Sequence, residues 1–263
     1  MFNIIKDILK CEGITNVGMI PINECEIINE RILPKDAKSA ILFSIPYRSS
    51  TSKPTDGFSE YARIYDYHKF AQELYGRTIE AMKNKMGFDF YGFCDHSPIN
   101  EKLAIAKCGL GVIGRNSLFI DKVYGTYIFI GSILTNAECK NTVDIIDVCA
   151  NCQKCVTACP NDAILEKGID RTRCLSAISQ KKNKTHEEKQ LLKHNNIVWG
   201  CDICQDVCPY NEKAIISPIK RFAETRVASI DKDFIDSLNE EEFLKYAFSY
   251  KGKKIIYDNI EFK

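Results

Sequence analysis

No charge of one sign dominates this sequence. Lys and Arg number 36 and Asp and Glu 35, a formal charge of +1, so no overall field exists to hold a polyanion or an anionic membrane, and any such contact must be a local patch. Long hydrophobic runs are also lacking. The most apolar stretch, Tyr127 to Leu134, is far too short for a transmembrane helix, which argues against any membrane association. The first residues, Met-Phe-Asn-Ile-Ile-Lys-Asp, place charges where a signal peptide needs an unbroken apolar core, so the expected setting is cytoplasmic with reduced thiols. With 45% hydrophobic and 27% charged residues, disordered and collagen-like classes are excluded and a globular chain remains.

Periodicity predicts alternating helices and strands. Phe2, Ile5, Ile8 and Leu9 recur at helical spacing, and a strand follows within Ile14 to Ile22. Ala40 to Ile45 is continuously apolar and closed by Pro46, as in a strand buried on both faces. A long helix is expected from Ser59 to Met86, ended by Gly87, then a strand from Phe88 to Cys94 that delivers Asp95 to a loop. Ser97 and Pro98 read as a cap and first residue of a helix ending at Gly109, and Ser117 to Asp121 and Thr126 to Leu134 are strand-like. The fold class is α/β (α+β) with a bacterial-ferredoxin-like segment. The expected division is an α/β domain over 1–145, a cysteine-rich domain over 146–212 and a tail over 213–263 that contains a short acidic-started helix near Glu240.

What the chain has in excess is cysteine: 13 residues, eight of them between Cys149 and Cys208. Cys149, Cys152, Cys155, Cys159 and Pro160 spell C-x2-C-x2-C-x3-C-P, the run that wraps a [4Fe–4S] cluster and sends its fourth Cys to a second one. Cys201, Cys204, Cys208 and Pro209 repeat its end, one Cys short, and Cys174 makes up the deficit. The eight thiolates divide into Cys149, Cys152, Cys155 and Cys208 for one cluster and Cys159, Cys174, Cys201 and Cys204 for the other. Two structural zinc sites are the alternative use of such pairs, although zinc needs no interleaved fourth ligand. Cys11, Cys25, Cys94, Cys108 and Cys139 read as small buried hydrophobes.

Gly109, Gly111 and Gly114 match a dinucleotide fingerprint, but a helix precedes them and a strand follows, the reverse of the required order. They read instead as a loop where backbone approaches a large flat cofactor, or as a plain turn. His68 lies on an apolar stripe and reads as a core histidine; Asp95 alone reads as a capping carboxylate.

The stretch from Cys94 to Thr135, with CANCQKCVTACPNDAI, RCLSAIS and WGCDICQDVCPYN, resembles the epoxyqueuosine reductases over roughly residues 38–248. The resemblance implies an oxidoreductase carrying cobalamin and two [4Fe–4S] clusters, related in its corrinoid domain to reductive dehalogenases, that converts epoxyqueuosine in tRNA to queuosine. It places Asp95 over the corrinoid as proton donor, in its protonated form, and Gly111, Arg115, Asn116, Ser117, Thr135 and Ser176 among the cofactor contacts. Its partners are tRNA and an external low-potential electron donor such as flavodoxin or ferredoxin. Departures are Val112 and Arg115, where the family usually has Trp and Lys, and Gln180 in place of an acid. The family's helical-repeat domain is not expected within these 263 residues. A basic stretch, Lys181, Lys182, Lys184, Lys189 and Lys193, reads as a solvated face or a phosphate-contacting loop. The rival functions are a corrinoid reductase of a small molecule and a ferredoxin-like electron carrier.

Overall fold

The computed structural model describes residues 1–140 and 149–261. The first helix, α1 (Phe2–Cys11), leads into strands β1 (Val17–Pro21) and β2 (Ser39–Pro46). Helix α2 (Tyr67–Met86), β3 (Phe90–Phe93), α3 (Glu101–Lys107), β4 (Gly111–Ile113), β5 (Phe119–Asp121) and β6 (Ile128–Thr135) complete the first half. Four strands form one sheet in the order β1-β2-β6-β3, every pair antiparallel, so the alternation of helix and strand yields the α+β form.

β2 is buried along its whole length, as its apolar run predicts. Because successive strand residues face opposite sides, Ile41, Phe43 and Ile45 pack with Ile5, Leu9, Phe70, Leu74 and Met82 of α1 and α2, while Ala40 and Leu42 pack with Ala104 and Ile105 of α3. Helices thus cover both faces.

The long helix starts later than the apolar pattern suggests. Glu60–Arg63 forms a 3-10 turn, and α2 begins only after Asp66, whose carboxylate accepts the His68 N–H at 2.8 Å as a helix cap. Gly87 ends it with φ 71°, a left-handed conformation that glycine adopts without steric cost. Likewise α3 is capped by Asn100, which accepts from Leu103 N at 3.2 Å, and not by Ser97. The three residues released from α3 leave Ser97 free to face the cleft described below.

The cysteine-rich half is built of short pieces: α4 (Lys154–Ala158), β7 (Ile164–Leu165), β8 (Gly168–Ile169), α5 (Leu175–Ser179), α6 (His186–His194) and α7 (Ile203–Asp206). The chain continues through α8 (Lys220–Thr225), α9 (Lys232–Ser237), α10 (Glu240–Phe243) and α11 (Lys253–Glu261). The boundary expected at residue 145 lies outside the described residues. Residues beyond 213 do not stand apart. Ile219 and Phe222 join the core of α1 and α2, with Phe222 4.7 Å from Phe70 between ring centroids, and Phe243, Phe248 and Ile256 pack with Phe58 and Trp199. Among the described residues no helix is long and apolar enough to cross a membrane.

Candidate functional site

The loop after β3 carries Asp95 in a left-handed backbone conformation, φ 62°. Asp tolerates this better than most residues, and sparsely populated conformations gather at functional sites. The turn aims the carboxylate at the start of α2. There Asp95 Oδ2 lies 3.1 Å from His68 Nε2 and accepts a short hydrogen bond from the Tyr67 hydroxyl. His68 Nδ1 is 3.0 Å from Asp66 Oδ1, so the helix cap also orients the imidazole. Tyr67 stacks between His68 and Phe129 of β6, its centroid 4.0 and 3.9 Å from theirs.

Charges follow from this geometry. The hydrogen bonds to Asp66 and then Asp95 raise the His68 pKa to about 9. Burial pushes Asp95 up, but the bonds from His68 and Tyr67 outweigh it and hold the carboxyl below its ordinary value. Both shifts favour a carboxylate at Asp95 paired with a protonated His68. The expectation gives the proton to Asp95; in this geometry the imidazole is favoured to hold it, and His68, which reads from the sequence as a core residue, is 45% exposed.

Asp95 opens onto a cleft whose wall is apolar, from Leu118, Ile128, Phe129 and Ile130, and whose rim is polar, from Ser97, Asn100, Glu101 and Thr126. An apolar wall with acids at its edge fits the face of a flat macrocycle. The cleft is tied to the cysteine-rich half through Thr126, which donates to Gln205 Oε1 at 2.9 Å, while Asn211 donates to Thr126 at 2.8 Å and to the Gln205 carbonyl at 2.7 Å.

The cysteines gather in two sets. Cys149, Cys152, Cys155 and Cys208 line one cavity together with Gly114, Arg115 and Asn116. Cys204 lies within electrostatic reach of Cys201, Cys174 and Cys159, and Cys201 of the last two. Backbone N–H groups point at the sulfurs, as Ala163 N does at Cys159 Sγ, 3.3 Å, an arrangement that favours bound thiolates and tunes a cluster.

The sequence-predicted contacts divide between these places. Asn116, 2% exposed, reaches the Cys204 carbonyl at 3.5 Å and lies in a loop that reaches the cleft at Leu118. The loop from 114 to 118 therefore spans from cluster cavity to cleft. Arg115 binds the Glu166 carbonyl at 3.2 Å, and Ser117 accepts from Lys102 through its carbonyl. Ser176 sits on α5, two residues after Cys174. Two placements differ from the expectation. Thr135 is fully buried at the end of β6, its hydroxyl on Ala137 N at 3.2 Å, away from the cleft. Gly111 is needed for packing within the chain, since a Cβ there would stand 2.1 Å from the Ile120 carbonyl oxygen of β5. Sequence reasoning assigns no chemical role to Tyr67 or Glu101. The signal for Tyr67 is its place beside the Asp66 cap; Glu101 looks like a dipole-compensating acid.

Comparison with known proteins agrees with this architecture. Residues 148–211 match the 4Fe-4S double cluster binding domain family. Epoxyqueuosine reductases from Lactococcus garvieae, Aliivibrio fischeri and Cyclobacterium marinum are 30, 32 and 31% identical over 89, 76 and 83% of this chain, which spans 71, 55 and 72% of their lengths. The fold superposes on a Streptococcus thermophilus epoxyqueuosine reductase with TM-score 0.81 and 23% identity, covering all of this chain and 80% of the other. An epoxyqueuosine reductase bound to a tRNA-Tyr epoxyqueuosine-modified stem loop gives TM-score 0.80 at 22% identity, covering 99% and 80%. A reductive dehalogenase described by a B12-dependent mechanism gives 0.54 at 17%, covering 94% and 37%. Similarity at this level across most of the chain places it in the epoxyqueuosine reductase family.

Proposed function

We propose that this chain reduces epoxyqueuosine in tRNA to queuosine with a cobalamin and two [4Fe–4S] clusters, fed by a low-potential one-electron carrier of the flavodoxin or ferredoxin class. The observation that carries this reading is the Asp95–His68 pair, 3.1 Å apart, opening on an apolar cleft that the loop from 114 to 118 joins to a thiol-lined cavity. The relatives' names, and the tRNA stem loop bound by one of the similar structures, support the substrate.

Cys149, Cys152, Cys155 and Cys208 would hold one cluster and Cys159, Cys174, Cys201 and Cys204 the other. The corrinoid would lie against Leu118, Ile128, Phe129 and Ile130, with Asp95 beside it. What the corrinoid supplies when bound is a strong two-electron nucleophile for an epoxide carbon.

The protein's own work is proton delivery. In the open cleft the proton resides on His68 Nε2 and the Asp95 carboxylate accepts its hydrogen bond. Filling the cleft excludes water, and a drier site disfavours separated charges relative to the neutral pair. The proton then moves to Asp95 Oδ2, where it can pass to the oxygen released as the epoxide opens. Tyr67, stacked between Phe129 and His68, holds Asp95 in place through its hydroxyl.

Anaerobic reconstitution with iron, sulfide and cobalamin, followed by incubation with tRNA carrying epoxyqueuosine, tests the reading. Queuosine formation is expected. A fully loaded protein that leaves the tRNA unchanged would favour a small-molecule substrate.

A further inference from the structure

Deoxygenation of an epoxide to an alkene consumes two electrons and two protons. Both C–O bonds break, a C=C bond forms, and the oxygen leaves as water. The external one-electron carrier supplies the electrons, but the His68–Asp95 pair holds a single mobile proton. The second must come from elsewhere in the cleft.

Glu101 opens α3 on the rim of the same cleft as Asp95 and Ser97. Its Oε1 accepts the Ser132 hydroxyl at 2.5 Å, and Ser132 Oγ lies 3.4 Å from Ser97 Oγ. Both serines are buried, at 0 and 7% exposure. Within electrostatic reach of Glu101 are Asp95 and Cys94 from the loop after β3 and Tyr75 from α2. The adjacent Lys102 turns its Nζ to the Ser117 carbonyl instead. The acid therefore stands among hydroxyls, a thiol and a second carboxylate.

We propose that Glu101 is the second proton source of the cleft and reloads Asp95 once the first proton has been spent. This rests on the epoxide-reduction reading. The Glu101 carboxyl gives its proton toward the Asp95 carboxylate, with Ser97 and Ser132 holding it in position, and regains one from solvent through its exposed edge. Its protonation state suits a proton donor at neutral pH, because burial, followed by the charge of Asp95, outweighs the serine hydrogen bonds and raises the pKa to about 7.

Two measurements test the role. In the apoprotein, infrared difference spectra should show a protonated carboxyl lost near pH 7, and Glu101→Gln should abolish that band. In the reconstituted, chemically prereduced enzyme, single turnover of an epoxyqueuosine stem loop should slow as pH rises through that value. Glu101→Gln should be about 100-fold slower at low pH, the size of losing a general acid, with the limb gone. Ser132→Ala removes a bond that holds the Glu101 pKa down, so it should move the limb to higher pH, and it carries the test if Glu101→Gln fails to load its cofactors. An unchanged limb in Ser132→Ala, or wild-type rate and profile in Glu101→Gln, overturns the role of Glu101 alone. A wild-type enzyme that converts no epoxyqueuosine overturns the reaction and this role with it.

Discussion

One imidazole bridges two carboxylates at the mouth of the cleft: His68 meets Asp95 through Nε2 at 3.1 Å and Asp66 through Nδ1 at 3.0 Å. Asp66 also caps α2, so helix geometry and proton chemistry depend on the same side chain. The imidazole cannot rotate without losing one partner, and the nitrogen facing Asp95 is the one able to exchange its proton with the cleft.

The bridge has a defined pH window. A histidine raised from 6.5 to about 9 contributes stability that is fully present below the lower value and is lost as pH rises through the higher. Asp95, held below its ordinary value, contributes in the opposite sense and is lost as pH falls through its folded pKa. NMR titration of His68 in the apoprotein should therefore give a midpoint far above 7, and Asp95→Asn should lower it. An ordinary imidazole midpoint in the wild-type protein would end this account.

Asp95→Asn should keep both clusters and corrinoid binding while lowering turnover by at least about 100-fold, the loss typical of a positioned proton donor. His68→Gln should lower turnover too, and Asp95 should regain a higher pKa once its cation is gone. Wild-type turnover in Asp95→Asn would return Asp95 to a local structural role at its turn.

The neighbourhood of the cysteines and the burial of the sheet are legible in the sequence, and the proton chemistry is not. Spacing alone sorts Cys159 away from Cys149 and Cys152, because a Pro-turned fourth cysteine is a local signal. The burial of β2 follows from an apolar run. His68 is misread because an apolar stripe says nothing of what lies beyond it: Asp95 arrives from 27 residues downstream on an antiparallel sheet that pattern alone does not order. Gly111 passes for a cofactor contact because no local pattern reveals that β5 folds back on it.

Cluster loss should follow the crossed pattern. Cys159→Ser should damage the cluster of Cys174, Cys201 and Cys204, and Cys208→Ser that of Cys149, Cys152 and Cys155, each lowering iron from about eight toward about four atoms per chain. Electron paramagnetic resonance of the reduced variants distinguishes the surviving cluster. Loss of the Cys149, Cys152 and Cys155 cluster in Cys159→Ser, with loss of the Cys174, Cys201 and Cys204 cluster in Cys208→Ser, would show that the sets do not cross.

Stability should hinge on a buried pair that joins the halves. Arg63 is fully buried, bonds Asp56, and donates to the carbonyls of Val227 and Ala228 at 3.1 and 3.0 Å; Asp56 also accepts Ile230 N at 2.7 Å. Arg63→Met removes the buried cation beside Asp56 and should cost about 3–5 kcal/mol. The exposed Lys38–Glu138 pair is the control, and Lys38→Ala should cost at most about 1 kcal/mol. Equal shifts in thermal midpoint would contradict the assignment.

Binding of tRNA should depend on fewer lysines than the sequence offers. Lys181 is committed to Glu188 in the capping network of α6, and Lys184 donates to the Lys181 carbonyl at 2.8 Å. Burial moreover lowers the Lys184 pKa. Lys182 and Lys193 are exposed and remain the better phosphate contacts of the five. Each phosphate neutralised adds roughly 0.7–0.9 to the slope of log affinity against log salt. The Lys182→Glu and Lys193→Glu double variant should therefore bind tRNA more weakly with a slope shallower by about 1 to 2, and cluster content should not change. Lys181→Glu should instead lower thermal stability by breaking its bond to Glu188, because its charge is already spent there. A double variant with wild-type affinity and slope would assign this stretch to solvent and move the search for phosphate contacts to other surfaces of the chain.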